Sequence, residues 1–227
     1  MLKDRILFID GEAIVLDKPA GLPVDAPRDG SLSLENHLAS LTFGFQRWPL
    51  PVHRLDRDTS GCLLLARNPK AHKRFQQAFE AGVVTKRYLA VLDGVPEGDE
   101  GVIDLPLTKI SSAARGWRMT GARNGKPSRT AWRLLNVADG RAFVEFRPET
   151  GRTHQIRVHA AEGLGAAVVG DPVYGRAGGA MLLHAAALTV PRPPKPDIAA
   201  EAPLPASFAE AGFGAVGQAA QPGDADG

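Results

Sequence analysis

Two Asp-Gly dipeptides, Asp10–Gly11 and Asp139–Gly140, each stand between short apolar runs, and this feature constrains the fold most. A two-residue turn joining antiparallel strands needs positive φ, which Asp and Gly adopt at little cost. The runs ILFID and AIVLDKP therefore read as one hairpin, and Thr130–Leu135 with Ala142–Phe146 as another. The run CLLLA reads as a strand buried on both faces, Arg87–Leu92 alternates as a further strand, and Met181–Val190 reads as a late one. Helical spacing is found in three places. Leu34, Leu38 and Leu41 with Ser31 or Ser33 as cap predict a short amphipathic helix over 31–41. Pro69 with Phe75 and Phe79 predicts one to about Gly82, and Thr153–Ala161 a third. Strands that arrive as consecutive hairpins favour an α+β fold with a largely antiparallel sheet flanked by helices. The weakly patterned 105–128 reads as an extended basic arm, and Pro191–Pro196 as a proline-rich connection.

The length of 227 residues suits one large domain, expected here over residues 1–211. Residues 212–227 are small, polar and acidic, and are expected to form a disordered tail. No run of 18 apolar residues occurs and acids interrupt the N-terminus, so no membrane partner and a cytoplasmic location are expected. The single Cys62 cannot form an internal disulfide and lies in an apolar run, as a small buried hydrophobe does.

The net charge of +2 conceals an uneven distribution. Five of the acids follow Lys195, so residues 1–195 carry 27 basic and 20 acidic groups. Between Asp104 and Asp139 there is no acid, yet Lys109, Arg115, Arg118, Arg123, Lys126, Arg129 and Arg133 fall there. Such a stretch can neutralise phosphates and release counterions, although a solvated basic loop has the same composition.

The densest polar cluster, His53 to Gly61, directly precedes the buried run CLLLA. A loop at the end of a core strand holds polar groups in place while leaving them open to a ligand. A salt-bridged turn, with Asp56 or Asp58 paired to Arg54 or Arg57, accounts for the same residues. A second cluster, Gly151 to His159, opens the third helix, where Thr153 and Arg157 would share a face. Lys18-Pro19-Ala20-Gly21 follows a strand, and Tyr88 is one of only two tyrosines. Gly121 to Lys126 fails as a phosphate-binding loop, because its spacing is one residue short and Pro127 replaces the hydroxyl residue. His154, His159 and His184 lack the spacing of a zinc site, and no metal is expected.

Taken in order, KPAG at 18–21, HRLDRDTSG at 53–61, KRY at 86–88, GRTHQIRVH at 151–159, GDPVYG at 170–175 and LLH at 182–184 resemble the RluA-type RNA pseudouridine synthases. The resemblance spans about residues 5–208 and implies the pseudouridine synthase catalytic fold. It also implies an isomerase acting on structured ribosomal or transfer RNA without cofactor. A monomer is expected, with no S4-like domain ahead of the catalytic fold. The small-subunit relatives carry GRLD and TEG where this chain has HRLD and TSG. By the same resemblance Asp56 takes the place of the catalytic aspartate, Tyr88 of the active-site tyrosine and Arg157 of the arginine paired with the aspartate. Arg54 takes the place of an arginine that fills the space of an extruded base. Asp25 departs from the pattern, standing where a histidine is common.

Turning uridine into pseudouridine breaks the bond from ribose C1′ to N1, rotates the uracil and rejoins it through C5. A carboxylate can serve as nucleophile at C1′ or as base at C2′. Two other readings use the same residues: a glycosidase-like hydrolase with Asp56 and Asp58 as its carboxylate pair, and a non-enzymatic RNA-binding module built on the basic arm.

Overall fold

The computed structural model describes residues 1–27, 29–113 and 116–214. The strands in chain order are β1 Ile6–Ile9, β2 Ala13–Lys18, β3 Leu50–Pro51, β4 Ser60–Ala66, β5 Thr85–Leu92 and β6 Glu100–Asp104. They continue as β7 Leu107–Ser112, β8 Gly116–Gly121, β9 Arg129–Ala138, β10 Arg141–Pro148, β11 Leu183–Arg192 and β12 Lys195–Glu201. Helices are α1 Pro69–Glu80, α2 Gln155–Val158, which continues as a π turn His159–Gly163, and α3 Ala206–Glu210. Ten strands form one sheet in the order β1-β2-β4-β11-β5-β10-β9-β6, with β12 on β11 and β3 on β4. β7 and β8 form a separate two-stranded sheet. Among the described residues every strand pairing is antiparallel except β4 with β11, as expected for an α+β chain of hairpins.

The two Asp-Gly turns fold differently. Asp139 and Gly140 take φ of 50° and 72°, the tight turn that matches strand twist. At the first turn the Asp10 carboxylate instead accepts from the N–H groups of Glu12 and Ala13, so a side chain closes the loop.

The sheet is covered on both faces, and β4 is accordingly buried at every position and apolar from Cys62 to Ala66. Its residues Cys62, Leu64 and Ala66 pack with Phe75 of α1, while Leu63 and Leu65 pack with Leu34, Leu38 and Leu41. Farther along, Ala142, Val144 and Phe146 of β10 pack under Ile156 and Ala160, and Phe143 packs on Phe208 and Phe213. β4 meets β11 in parallel for only two residue pairs, His184 with Ser60 and Ala185 with Gly61. Gly61 has φ of 104°, and a Cβ there would run into the Ala185 carbonyl. Glycine thus permits the crossing that brings the start of β4, and the loop before it, onto the middle of the sheet.

Several expectations are corrected. The basic arm 105–128 is not extended chain but the β7–β8 hairpin and its following turn. The helix over 31–41 is a 3-10 helix, Leu34–Leu41, with the Asn36 side chain accepting from the Ser33 N–H. The third helix begins at Gln155 rather than Thr153, because His154 has φ of 55°; Thr153 therefore does not share a helical face with Arg157. The proline-rich segment is the tip of the β11–β12 hairpin. β6 was not expected. Most of the acidic tail lies outside the described residues, but Phe213 within its expected span is buried on Phe143.

Candidate active site

The loop 53–59 is tied down from three sides. Lys18, fully buried, donates from Nζ to the carbonyls of Pro19, Leu22 and Arg57, each at 2.9 Å. The Gly21 N–H adds a second bond to the Arg57 carbonyl at 2.9 Å. These contacts explain KPAG: its lysine clamps its own loop to the Asp56 loop and does not stand free in a cleft. Burial lowers the Lys18 pKa to about 8, against the pull of Asp58, Asp56 and Asp17. On the opposite side His53 stacks on Phe79, and its Nε2 accepts from the Leu64 N–H at 3.0 Å. That nitrogen must be unprotonated, in line with a pKa pushed down by burial.

Each charged group of the loop has a separate partner. Asp58 pairs with Arg57 at 3.0 Å, and Arg54 with Asp25 at 2.7 Å, both largely exposed. Asp56 is different: its Oδ2 accepts from Arg157 Nη1 at 2.9 Å across the junction between loop and α2. Arg157 is nearly buried, its side chain 6% exposed, while the Asp56 side chain keeps 26% exposure. Gln155 fixes the start of α2, donating to the Arg129 carbonyl and the Thr130 hydroxyl.

Asp171 was not assigned from sequence, yet it completes this arrangement. Its two carboxylate oxygens accept from Arg157 Nε and Nη2, both at 2.7 Å, in a fully buried bidentate pair. Its Oδ1 also accepts from the Val173 and Tyr174 N–H groups. Burial opposes the ionised carboxyl, but the bonds and charge of Arg157 together with the Val173 and Tyr174 N–H groups outweigh it and lower its pKa. Burial likewise opposes the Arg157 cation, and the two carboxylates raise its pKa regardless. One guanidinium is thus locked by Asp171 and spends its remaining edge on Asp56.

A layer of rings lies over this pair. His154 Nε2 is 3.9 Å from Asp56 Oδ2, and its Nδ1 is 2.9 Å from the Tyr174 hydroxyl. The Met119 N–H donates to that hydroxyl at 2.9 Å, so β8 is bound directly to the site. Trp117 stacks on His154 with ring centres 5.1 Å apart. Tyr88 packs between the two apolar clusters on this face of the sheet. Burial, then the Asp56 charge, raises its pKa and keeps the phenol protonated. A cleft of about 390 Å³ opens beside the loop, lined by Ala20, Gly21, Arg57, Asp58, Gly170, Pro172 and Met181 among others.

The basic residues do not all remain available. Lys109, Arg118, Arg123 and Lys126 lie on the hairpin and its turn. Arg129, by contrast, is paired with Glu149 at 3.1 Å and approaches Asp104 at 4.0 Å, so strand pairing neutralises a residue that is far from acids only along the chain. Glu162 likewise accepts from the Thr120 hydroxyl and the Gly121 N–H, anchoring the hairpin. Arg115 lies outside the described residues. His159 and His184 are spent on separate bonds, to the Thr130 hydroxyl and the Leu105 carbonyl, and to Ser60 and the Ala202 carbonyl. Among the described residues no group of His, Cys, Asp and Glu could hold a metal.

The mostly antiparallel sheet thus carries, on the loop at its middle, one arginine-held carboxylate beneath a basic hairpin. Residues 12–162 match the family described as RNA pseudouridylate synthase, and the chain belongs to that family, in its RluA-type branch. It is 60% identical to an uncharacterized RNA pseudouridine synthase of Zymomonas mobilis, covering 94% of this chain and 99% of that protein. The ribosomal large subunit pseudouridine synthase D of the same organism is 36% identical over 76% of this chain and 56% of its own length. Human RNA pseudouridylate synthase domain containing 4 has the same fold, with a TM-score of 0.77 at 26% identity, covering 92% of this chain and 91% of that one.

Proposed function

We propose that the protein isomerises particular uridines of ribosomal or transfer RNA to pseudouridine, with Asp56 as the reacting carboxylate. The observation that carries the reading is the Asp56–Arg157 bond at 2.9 Å, with Arg157 itself clamped by buried Asp171. Both chemical routes use a carboxylate, and the charge-assisted bond to Arg157 fixes the position of this one. On one route Asp56 bonds to ribose C1′ as the bond to N1 breaks; on the other it takes the C2′ proton. The freed uracil then turns and C5 bonds to C1′, as the Asp56–C1′ bond breaks on the first route and as Asp56 returns the proton to C2′ on the second; in both the C5 proton leaves and N1 takes one up. Tyr88, held neutral, suits stacking on the uracil better than service as a phenolate base. Arg54, exposed on the same loop and paired with exposed Asp25, would enter the stack that the uridine leaves. The relative named for the ribosomal large subunit favours ribosomal RNA as the first substrate to test. Asp58, paired with its neighbour Arg57, is poorly placed as the second carboxylate of a glycosidase.

The test is to map pseudouridines in total RNA from cells with the protein, without it, and with Asp56→Asn. One or a few sites should vanish in the deletion and stay absent in the variant, whose turnover falls at least roughly a thousandfold. An Asp56→Asn protein that restores the sites would remove Asp56 from the reaction, and release of free uracil from RNA would replace isomerisation with hydrolysis.

A further inference from the structure

We propose that Trp117 is a base-stacking contact, taking an unpaired base that neighbours the target uridine, with Lys109 beside it for the adjoining phosphate. This inference rests on the RNA isomerase reading and adds to it a specific recognition residue. Trp117 is a large aromatic left 48% exposed on a small polar hairpin, where nothing of the main core covers it. The register of β7 with β8 pairs Lys109 with Met119 and Ser111 with Trp117, which puts Lys109, Ser111, Trp117 and Met119 on one face. On that face the Lys109 ammonium lies 5.0 Å from the centre of the Trp117 ring. A π surface and a flexible cation side by side match a base and the phosphate next to it.

Position decides what would be bound. Trp117 rests on His154, whose Nε2 is 3.9 Å from Asp56, so a base on the tryptophan lies within a nucleotide or so of one at Asp56. The platform is also fixed. The N–H groups of Met119 and Gly121 point outward from β8 and are bonded to Tyr174 and Glu162. By strand alternation the Trp117 N–H faces the same way. A tryptophan whose only work was to prop His154 would be covered on its outer side; this one is open to solvent above the site.

The experiment compares wild type, Trp117→Ala and Trp117→Phe on total RNA from cells lacking the protein, reading pseudouridine formation and tryptophan emission. Stacking of this kind predicts roughly a tenfold rise in apparent KM for Trp117→Ala with kcat little changed. Trp117→Phe, which keeps a ring, should stay within about threefold of wild type. RNA should quench wild-type emission, and the Phe variant should lose that part of the quench. A wild-type KM in Trp117→Ala would overturn the inference while leaving the isomerase reading intact. So would a fall in kcat at constant KM, which would make Trp117 a support for His154. If the wild-type protein itself formed no pseudouridine, the functional reading would fail, and the inference with it.

Discussion

Replacing Asp171 with alanine removes the carboxylate that holds Arg157 through two of its three nitrogens. Arg157 is then a buried cation whose remaining carboxylate, Asp56, touches it through a single bond at 2.9 Å. The N–H groups of Val173 and Tyr174 lose their acceptor as well. Breaking a buried ion pair from one side costs about 3–5 kcal/mol, because the uncompensated charge stays behind. For a domain of this size each kcal/mol moves the midpoint by about 2–4 °C, so thermal unfolding should fall by roughly 6–20 °C. Asp171→Asn keeps an acceptor for the two N–H groups and should lose less. The double variant Arg157→Met, Asp171→Leu should be more stable than Asp171→Ala alone, since neither charge remains to be solvated, although it should be inactive. The pH dependence has a definite sign. Asp171 has a folded pKa below its ordinary value of 3.8, so its contribution is complete above that value and is lost as pH falls through the lower, folded pKa. Wild type and Asp171→Ala should therefore converge in acid. Calorimetry with urea titration at neutral and acid pH measures all of this, and a loss under about 1 kcal/mol in Asp171→Ala at neutral pH would refute the reasoning.

Other outcomes follow from the same contacts. Arg54→Ala should slow reaction on an intact stem-loop more than on a short flexible oligonucleotide with the same uridine, because only the former has a stack to open; equal deficits would make Arg54 a phosphate contact. Arg123→Ala should lower the salt dependence of RNA binding by about one counterion, whereas Arg129→Ala, already paired with Glu149 and Asp104, should not; equal slopes for the two variants would contradict the assignment. Lys18 should give an alkaline fall in activity near pH 8, since a neutral amine can supply only two of its three bonds. The folded state releases that proton before the unfolded state does, so its contribution to global stability rises between pH 8 and 10.5; activity and stability falling together would contradict this account.

Local sequence suffices where local physics decides the structure. Asn68 accepting from Ala71 N–H ahead of Pro69 starts α1 as its residue types require, and Asp139–Gly140 closes its hairpin because both residues tolerate positive φ. The apolar run of β4 announced a strand buried on both faces. Less was legible where the partner is remote in sequence. The start of α2 depends on His154 at φ of 55°, a conformation fixed by contacts to Tyr174 and Trp117 that helical periodicity does not encode. The 105–128 segment lacks a strong pattern because its hairpin packs against a polar site and not a core.

The site divides in the same way. Sequence alone determined which polar residues stand on the loop before β4, and by their order and spacing the family to which the chain belongs. Tertiary structure alone decided which charges meet: Asp56 with Arg157, 101 residues away, Arg157 with Asp171, and Arg54 with Asp25. It also decided that Arg129, in an acid-free stretch of chain, sits between two acids in space. The physical reason is that an ion pair depends on a few ångströms of separation and on burial, and neither is set by distance along the chain once strands from opposite ends of the sequence lie side by side.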